Sequence, residues 1–190
     1  EQHIHNLDVS NWFMGAHPAK ANGIGGRTKR IGKEWGEIYD HHYVEYTYPD
    51  GTIMNSQCKH WNGTWSKVSE TIVGTKGTAT PGMIKDRSGK IIWRFRGPEN
   101  NPYQTEHDVL VKHILENKPI NDAHFTADST LTAIMGRMAT YSGQEVTWEQ
   151  ALNSDLDTMP PVLAWDADPG PKPGSDGLYP APIPGVTKVM

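Results

Sequence analysis

The opening residues, Glu1-Gln2-His3-Ile4-His5-Asn6-Leu7-Asp8, crowd carboxylates and imidazoles directly before an apolar run ending Trp12-Phe13-Met14-Gly15. On a helix, at about 100° per residue, Glu1, His5, Asp8 and Trp12 share one narrow stripe. A carboxylate one turn from an imidazole, beside an indole, suits proton transfer to or from a bound small molecule. The competing reading is a buried helix whose polar residues cap and pair. A second group, Asp40-His41-His42, opens a segment of alternating pattern. Alternation puts Asp40 and His42 on one face and His41 on the other. Each histidine is either a ligand contact or a structural hydrogen bond. His3, His5, His41, His42 and His60 are types that hold zinc or manganese. His3 and His5, however, point to different faces of a helix, and no His-Glu-x-x-His spacing occurs. No metal ligand set is assigned.

These residues need elements to position them. From residue 4 a helix runs to Gly15, which suits the left-handed position after a helix end, and Pro18 prevents continuation. Residues 19–26 read as a strand, and 28–36 as a polar loop. The glycines at 23, 25 and 26 weaken that strand but permit close approach by a ligand or second chain. From residue 37 apolar and polar residues alternate, and Pro49-Asp50-Gly51 turns the chain into a partner strand over 52–60. Trp61-Asn62-Gly63 is a further turn, followed by strands over 65–73, 78–86 and 90–95. Asn101-Pro102 starts a helix that Lys118-Pro119 stops. A second helix spans 126–142, and Thr147-Trp148-Glu149-Gln150 caps a short third. Prolines crowd the chain after Met159, so 159–190 reads as an extended tail held by Trp165, Leu178, Tyr179, Ile183 and Val186. The expected class is α+β: an open, mostly antiparallel sheet with helices on one face, over residues 1–158, plus that tail.

Composition narrows the functions. The 190 residues carry a net charge of −4 and a pI near 6.1, which gives no electrostatic footprint for nucleic acid. No apolar run is long enough to span a bilayer as a helix. Cys58 is the single cysteine, which excludes an internal disulfide. A mean hydropathy of −0.63 implies an exposed sheet face or a long polar tail. Beginning at its most chemically loaded helix, the chain reads as part of a longer protein whose preceding portion and targeting signal lie outside it.

Other motifs lead nowhere catalytic. Gly74-Thr75-Lys76-Gly77 lacks the spacing and following helix of a phosphate loop and reads as a hairpin turn. The glycines at 23–26 lack the third glycine and βαβ setting of a dinucleotide fingerprint. No Gly-x-Ser-x-Gly elbow occurs. Ser129, Thr130 and Arg137 read as structural, and the tryptophans as packing.

An ordered set of stretches nevertheless covers nearly the whole chain. It comprises the opening octapeptide, Gly-Ala-His-Pro (15–18), Gly-Gly-Arg (25–27), Tyr39-Asp40-His41-His42, Ser56-Gln57-Cys58-Lys59-His60, Asn117-Lys118-Pro119 and the Pro-Gly-Val-Thr-Lys ending. Together they resemble the C-terminal domain of the Gfo/Idh/MocA (glucose–fructose oxidoreductase/inositol dehydrogenase) family, in a bacterial subgroup. The resemblance implies a two-domain oxidoreductase whose NAD or NADP is bound by an N-terminal Rossmann domain not in this chain. The chain itself is then the substrate and oligomerisation half, with no cofactor-binding residues of its own. The family's Asp-x-x-x-His pair falls on Glu1 and His5, the implied catalytic residues, with Glu in place of Asp. His3, Arg27, His41 and His42 are implied contacts to substrate hydroxyls. The implied partners are a sugar, cyclitol or glycoside, the Rossmann domain, and further copies of the chain through the sheet face. The implied location is the periplasm, with the cytoplasm as alternative. Two other readings are a non-catalytic carbohydrate-binding module and a small histidine-based metal enzyme. On the first reading the isolated chain, supplied with NAD(P) and an inositol or aldose, folds but reduces no nicotinamide. Turnover above the protein-free rate would contradict it.

Overall fold

The computed structural model describes residues 3–168 and 170–189. Glu1 therefore lies outside the described residues, and its assigned role with it. The chain divides into two compact units, Glu1–Thr64 with Ala127–Met190, and Trp65–Thr126.

The first unit opens with α1 (Ile4–Met14), capped by Gly15 in the left-handed conformation at φ 63°. That conformation lets the Gly15 and Ala16 amides bond back to Trp12 and Asn11. Three long strands follow: β1 (Lys20–Gly26), β2 (His41–Thr47) and β3 (Ile53–Lys59). The turn between β2 and β3 is set by Asp50, whose carboxylate accepts the Thr52 amide. The second unit holds four short strands, β4 (Ile72–Gly74), β5 (Gly77–Thr80), β6 (Met83–Asp86) and β7 (Ile91–Arg94), in a simple antiparallel meander. It also holds α2 (Pro102–Leu115), whose Asn101 cap accepts the Tyr103 and Gln104 amides. The long α3 (Ala123–Ser142), β8 (Val146–Thr147) and α4 (Trp148–Leu152) complete the elements. Thr147 and Gln150 form the reciprocal capping box that their spacing implies. The α+β class with open antiparallel sheets is as expected, and neither sheet closes into a barrel.

Two expectations are corrected. The strands form two sheets rather than one, ordered β3-β2-β1-β8 and β4-β5-β6-β7. The strand expected over 65–73 is confined to Ile72–Gly74, because Trp65 and Val68 find no ladder partner and stay exposed. The tryptophans are also not the packing residues they resemble. Trp148 is buried and stacks on His17 with ring centroids 3.6 Å apart, whereas Trp12, Trp65 and Trp165 are exposed.

Why the first sheet has an inside follows from β2. His42, Val44 and Tyr46 are buried, while Tyr43 on the other side is exposed. Met135, Met138 and Ala139 of α3 are fully buried in the same core. Gly136 makes the close crossing possible, since a Cβ there would meet the Tyr46 hydroxyl. Gly23 does the same on β1, where a Cβ would lie 2.5 Å from the Tyr43 carbonyl and 3.1 Å from Thr140. The close approach read from these glycines is made by the chain's own elements.

The tail is held by backbone rather than by its expected apolar side chains. Tyr39 donates to the Pro182 carbonyl (2.9 Å), the Gly185 amide donates to Ser142 (2.7 Å), and Ser154 donates to the Val189 carbonyl (3.1 Å). Trp165, Leu178, Ile183 and Val186 stay exposed, and Val189 is the buried residue. A proline-rich segment offers few amides, so its carbonyls are its available bonding groups.

One buried polar chain ties α1 down. The Tyr48 hydroxyl donates to Asn11 Oδ1 (2.8 Å), Asn11 Nδ2 donates to Thr132 Oγ1 (2.9 Å), and Thr132 donates to the Asp128 carbonyl (2.8 Å). Asn11→Ala strips the tyrosine of its acceptor and the threonine of its donor. It is expected to lower unfolding free energy by about 2–3 kcal/mol, the cost of buried unsatisfied groups. The check is a fall in urea midpoint at unchanged m-value.

Candidate functional site

The opening stripe faces outward. His5 is exposed and makes no hydrogen bond or ion pair among the described residues. Val9, Trp12 and Phe13 are exposed beside it, Trp12 at 73%. Asp8 is half-buried. Trp12 thus does not anchor the helix; Leu7 and Asn11 do. His3 behaves differently, because its Nε2 meets the Ser56 hydroxyl on β3 at 2.5 Å. Burial pushes its pKa below the ordinary histidine value.

His42 lies under α3. Its Nδ1 is 2.9 Å from Thr140 Oγ1, and the Thr140 hydroxyl donates to the Arg137 carbonyl. With that proton spent, the threonine oxygen must accept, so Nδ1 of His42 carries the hydrogen. Nε2 is then a bare lone pair, buried and without a partner. Burial, reinforced by neighbouring His41, His3 and Arg137, pushes the pKa down to about 4. The ring is neutral at ordinary pH.

Asp40 is the best-satisfied group of the site. Its Oδ2 accepts three successive backbone amides, from Thr28 (2.8 Å), Lys29 (2.6 Å) and Arg30 (2.8 Å). Its Oδ1 accepts Trp61 Nε1 (3.0 Å) and His41 Nδ1 (2.8 Å). Burial alone would raise its pKa, but the bonds from His41, the loop amides and Trp61 outweigh it and hold the carboxyl far below the usual range. Alternation pairs Asp40 with His42; hydrogen bonding joins it to His41 instead. Arg27 closes the same loop, with Nε and Nη2 both donating to the Arg30 carbonyl (2.9 and 2.7 Å).

The expected site residues therefore occupy three places. His5 stands on the exposed face of α1, His3 and His42 lie toward the inner sheet face, and His41 with Arg27 surrounds the Asp40 loop. Asp40 and Thr140 were not assigned as site residues from the sequence. The Asp-His adjacency was visible, but nothing local announces a threonine far along the chain as a histidine's partner. No three His, Cys, Asp or Glu side chains among the described residues converge as a metal site. The described strands are all antiparallel, and the space at Gly23 and Gly25 is taken by Thr140, Tyr39 and His42. These residues do not fit a dinucleotide.

The family model described as "Oxidoreductase family, C-terminal alpha/beta domain" matches residues 1–154. Among solved structures, an oxidoreductase from Thermotoga maritima is similar with a TM-score of 0.58 and 17% identity, over 78% of this chain and 43% of that one. Scyllo-inositol dehydrogenase from Lactobacillus casei, with bound NAD(H) and scyllo-inositol, gives 0.56 and 20%, over 77% and 46%. Aldose-aldose oxidoreductase from Caulobacter crescentus, complexed with glycerol, gives 0.56 and 19%, over 76% and 45%. The chain spans less than half the length of each. No curated protein matches it significantly.

The buried imidazole sets a pH dependence. With His42 at about 4 folded against 6.5 ordinarily, the unfolded chain takes the proton first. Its contribution is complete above pH 6.5 and is lost as pH falls toward 4. His3 shares the sign. Asp40, whose ordinary value is 3.8, contributes above that value and loses its share only at more acidic pH. Between neutral pH and pH 4.5 stability is expected to fall by about 2 kcal/mol. Urea titrations of the parent and His42→Gln check it: the variant has the flatter slope.

Proposed function

The chain belongs to the Gfo/Idh/MocA oxidoreductase family, as its C-terminal alpha/beta domain, and from that premise we propose that it is the substrate-side half of an NAD(P)-dependent oxidoreductase acting on a hydroxyl of a sugar, cyclitol or glycoside. The presentation of His5 carries this reading. Its ring is exposed and unpaired among the described residues, on a helix anchored from its other side by Leu7 and Asn11. Imidazole is the commonest proton acceptor for a reacting hydroxyl. The nicotinamide, held elsewhere in the full protein, supplies hydride acceptance. This chain supplies the proton acceptor and the surface around it. Val9, Trp12 and Phe13 form an apolar collar that another module covers, excluding water from the imidazole. Glu1 keeps its role from spacing alone. His3, Arg27, His41 and His42 are proposed hydroxyl contacts, but they do not converge on one ligand, because β2 sends His41 and His42 to opposite faces. Self-association uses the outer face of the first sheet, where Ile24, Tyr43 and Ile53 are exposed.

The deciding experiment uses the full-length protein. His5→Asn is expected to lower kcat by about 10²–10⁴-fold with KM little changed, as for a lost general base. Full activity in that variant would remove the reading.

A further inference from the structure

We propose that His41 and Trp61 form a second binding subsite, for a polyhydroxylated ring, at the strand end on the outer face of the first sheet. It does not depend on His5. The argument starts from Asp40. An ionised carboxylate can only accept, so the 2.8 Å contact with His41 requires the hydrogen on Nδ1. This fixes the tautomer and aims Nε2 away from the carboxylate. Nε2 has no protein partner among the described residues, and the His41 side chain is 32% exposed. The neutral ring presents a lone pair there and the protonated ring a donor, and a sugar hydroxyl satisfies either.

The second wall is as firmly held. Trp61 donates its indole N–H to the same carboxylate oxygen, which locks the ring plane. Its centroid lies 5.1 Å from the His41 ring at 59°, so the two rings form an open corner. Lys59, opposite His41 in the β2–β3 register, places Nζ 5.4 Å from the indole centroid. An aromatic face, a fixed imidazole and an ammonium donor meeting at a corner are what a pyranose or cyclitol needs: one apolar C–H face and hydroxyls at its rim. Gly26, opposite His41 on β1, keeps the approach clear. A Cβ there would stand 3.4 Å from His41 Cε1 and 3.6 Å from Nε2, ordinary contact that strains nothing but covers the nitrogen. A purely structural brace would need Nδ1 and the indole N–H; it has no use for an unpartnered Nε2 beside a glycine.

The test titrates the ¹⁵N-labelled full chain with myo-inositol and, separately, D-glucose. Histidine long-range ¹⁵N–¹H spectra and the Trp61 indole resonance are followed. The expected result is an unprotonated Nε2 and an Nδ1–H on neutral His41, with saturable shifts of Nε2 and the Trp61 N–H at a common Kd for at least one probe. Gly26→Ala is expected to weaken that Kd about tenfold, the loss of one hydrogen bond, while leaving the melting temperature unchanged. His5→Asn is expected to leave it unaltered. Neutral His41 carrying its hydrogen on Nε2, an absence of saturable shifts with both probes, an unchanged Kd in Gly26→Ala, or equal loss in His5→Asn would each overturn the subsite. The last outcome would place the sugar at α1 instead, leaving the oxidoreductase reading intact.

Discussion

Asn11 decides which way the first helix faces. Apart from it, α1 buries only Leu7 completely, one turn earlier. The two positions differ by about 40° around the axis, so together they define a narrow inward direction. His5, Val9, Trp12 and Phe13 then fall more than about 100° from that direction and must point outward. Hydrophobicity alone would have chosen the opposite rotation, with the tryptophan and phenylalanine inside. The observed rotation holds because the amide answers two buried hydroxyls from two other elements, Tyr48 beside β2 and Thr132 on α3. A polar network pinning the element that carries the reactive group sets direction as well as stability, because a half-satisfied version of it would be costly.

Asp40 performs the same service at the opposite end of β2. A loop of glycine, lysine, threonine and arginine has no core of its own, yet Arg27 to Arg30 is held because three adjacent amides converge on one carboxylate oxygen. The other oxygen orients His41 and Trp61. Five donors around one buried charge explain how it is tolerated without a lysine or arginine side chain against it. The conformations of the loop, the imidazole and the indole are therefore coupled through a single group.

Much of this was readable in the residues because it is local. Gly15, Asn101 and the Thr147–Gln150 box end or begin helices through bonds spanning a few positions. Pro49-Asp50-Gly51 turns through the Asp50 side chain. The alternation of β2 separates His41 from His42 directly. The division into two sheets was not readable, since β3 and β4 carry similar local patterns and only long-range pairing assigns them. Nor could composition tell that Trp12, Trp65 and Trp165 stay exposed while Trp148 is buried, because that depends on what each finds opposite it. Asp40 shows the limit most clearly: its residue type and neighbours were visible, but its donors come from a loop ten to twelve positions earlier and an indole twenty-one later.

The histidines near the first sheet show how environment assigns different work to one side chain. His42 is enclosed, and the threonine that fixes its tautomer also removes it from solvent, so it is held neutral and packs. His3 is drawn onto Ser56 and half-desolvated, which likewise disfavours its charged form. His41 has one nitrogen committed to Asp40 and the other open. His5 alone of these has neither nitrogen engaged among the described residues. A group that must take up a proton and release it again needs both a reachable nitrogen and solvent or substrate to pass the proton to. Burial withdraws that capacity from His42, so the residue enclosed most completely in the fold is the one least able to do the chemistry. The ring that packing leaves alone is the one best placed to react, and the Asn11 network is what leaves it alone.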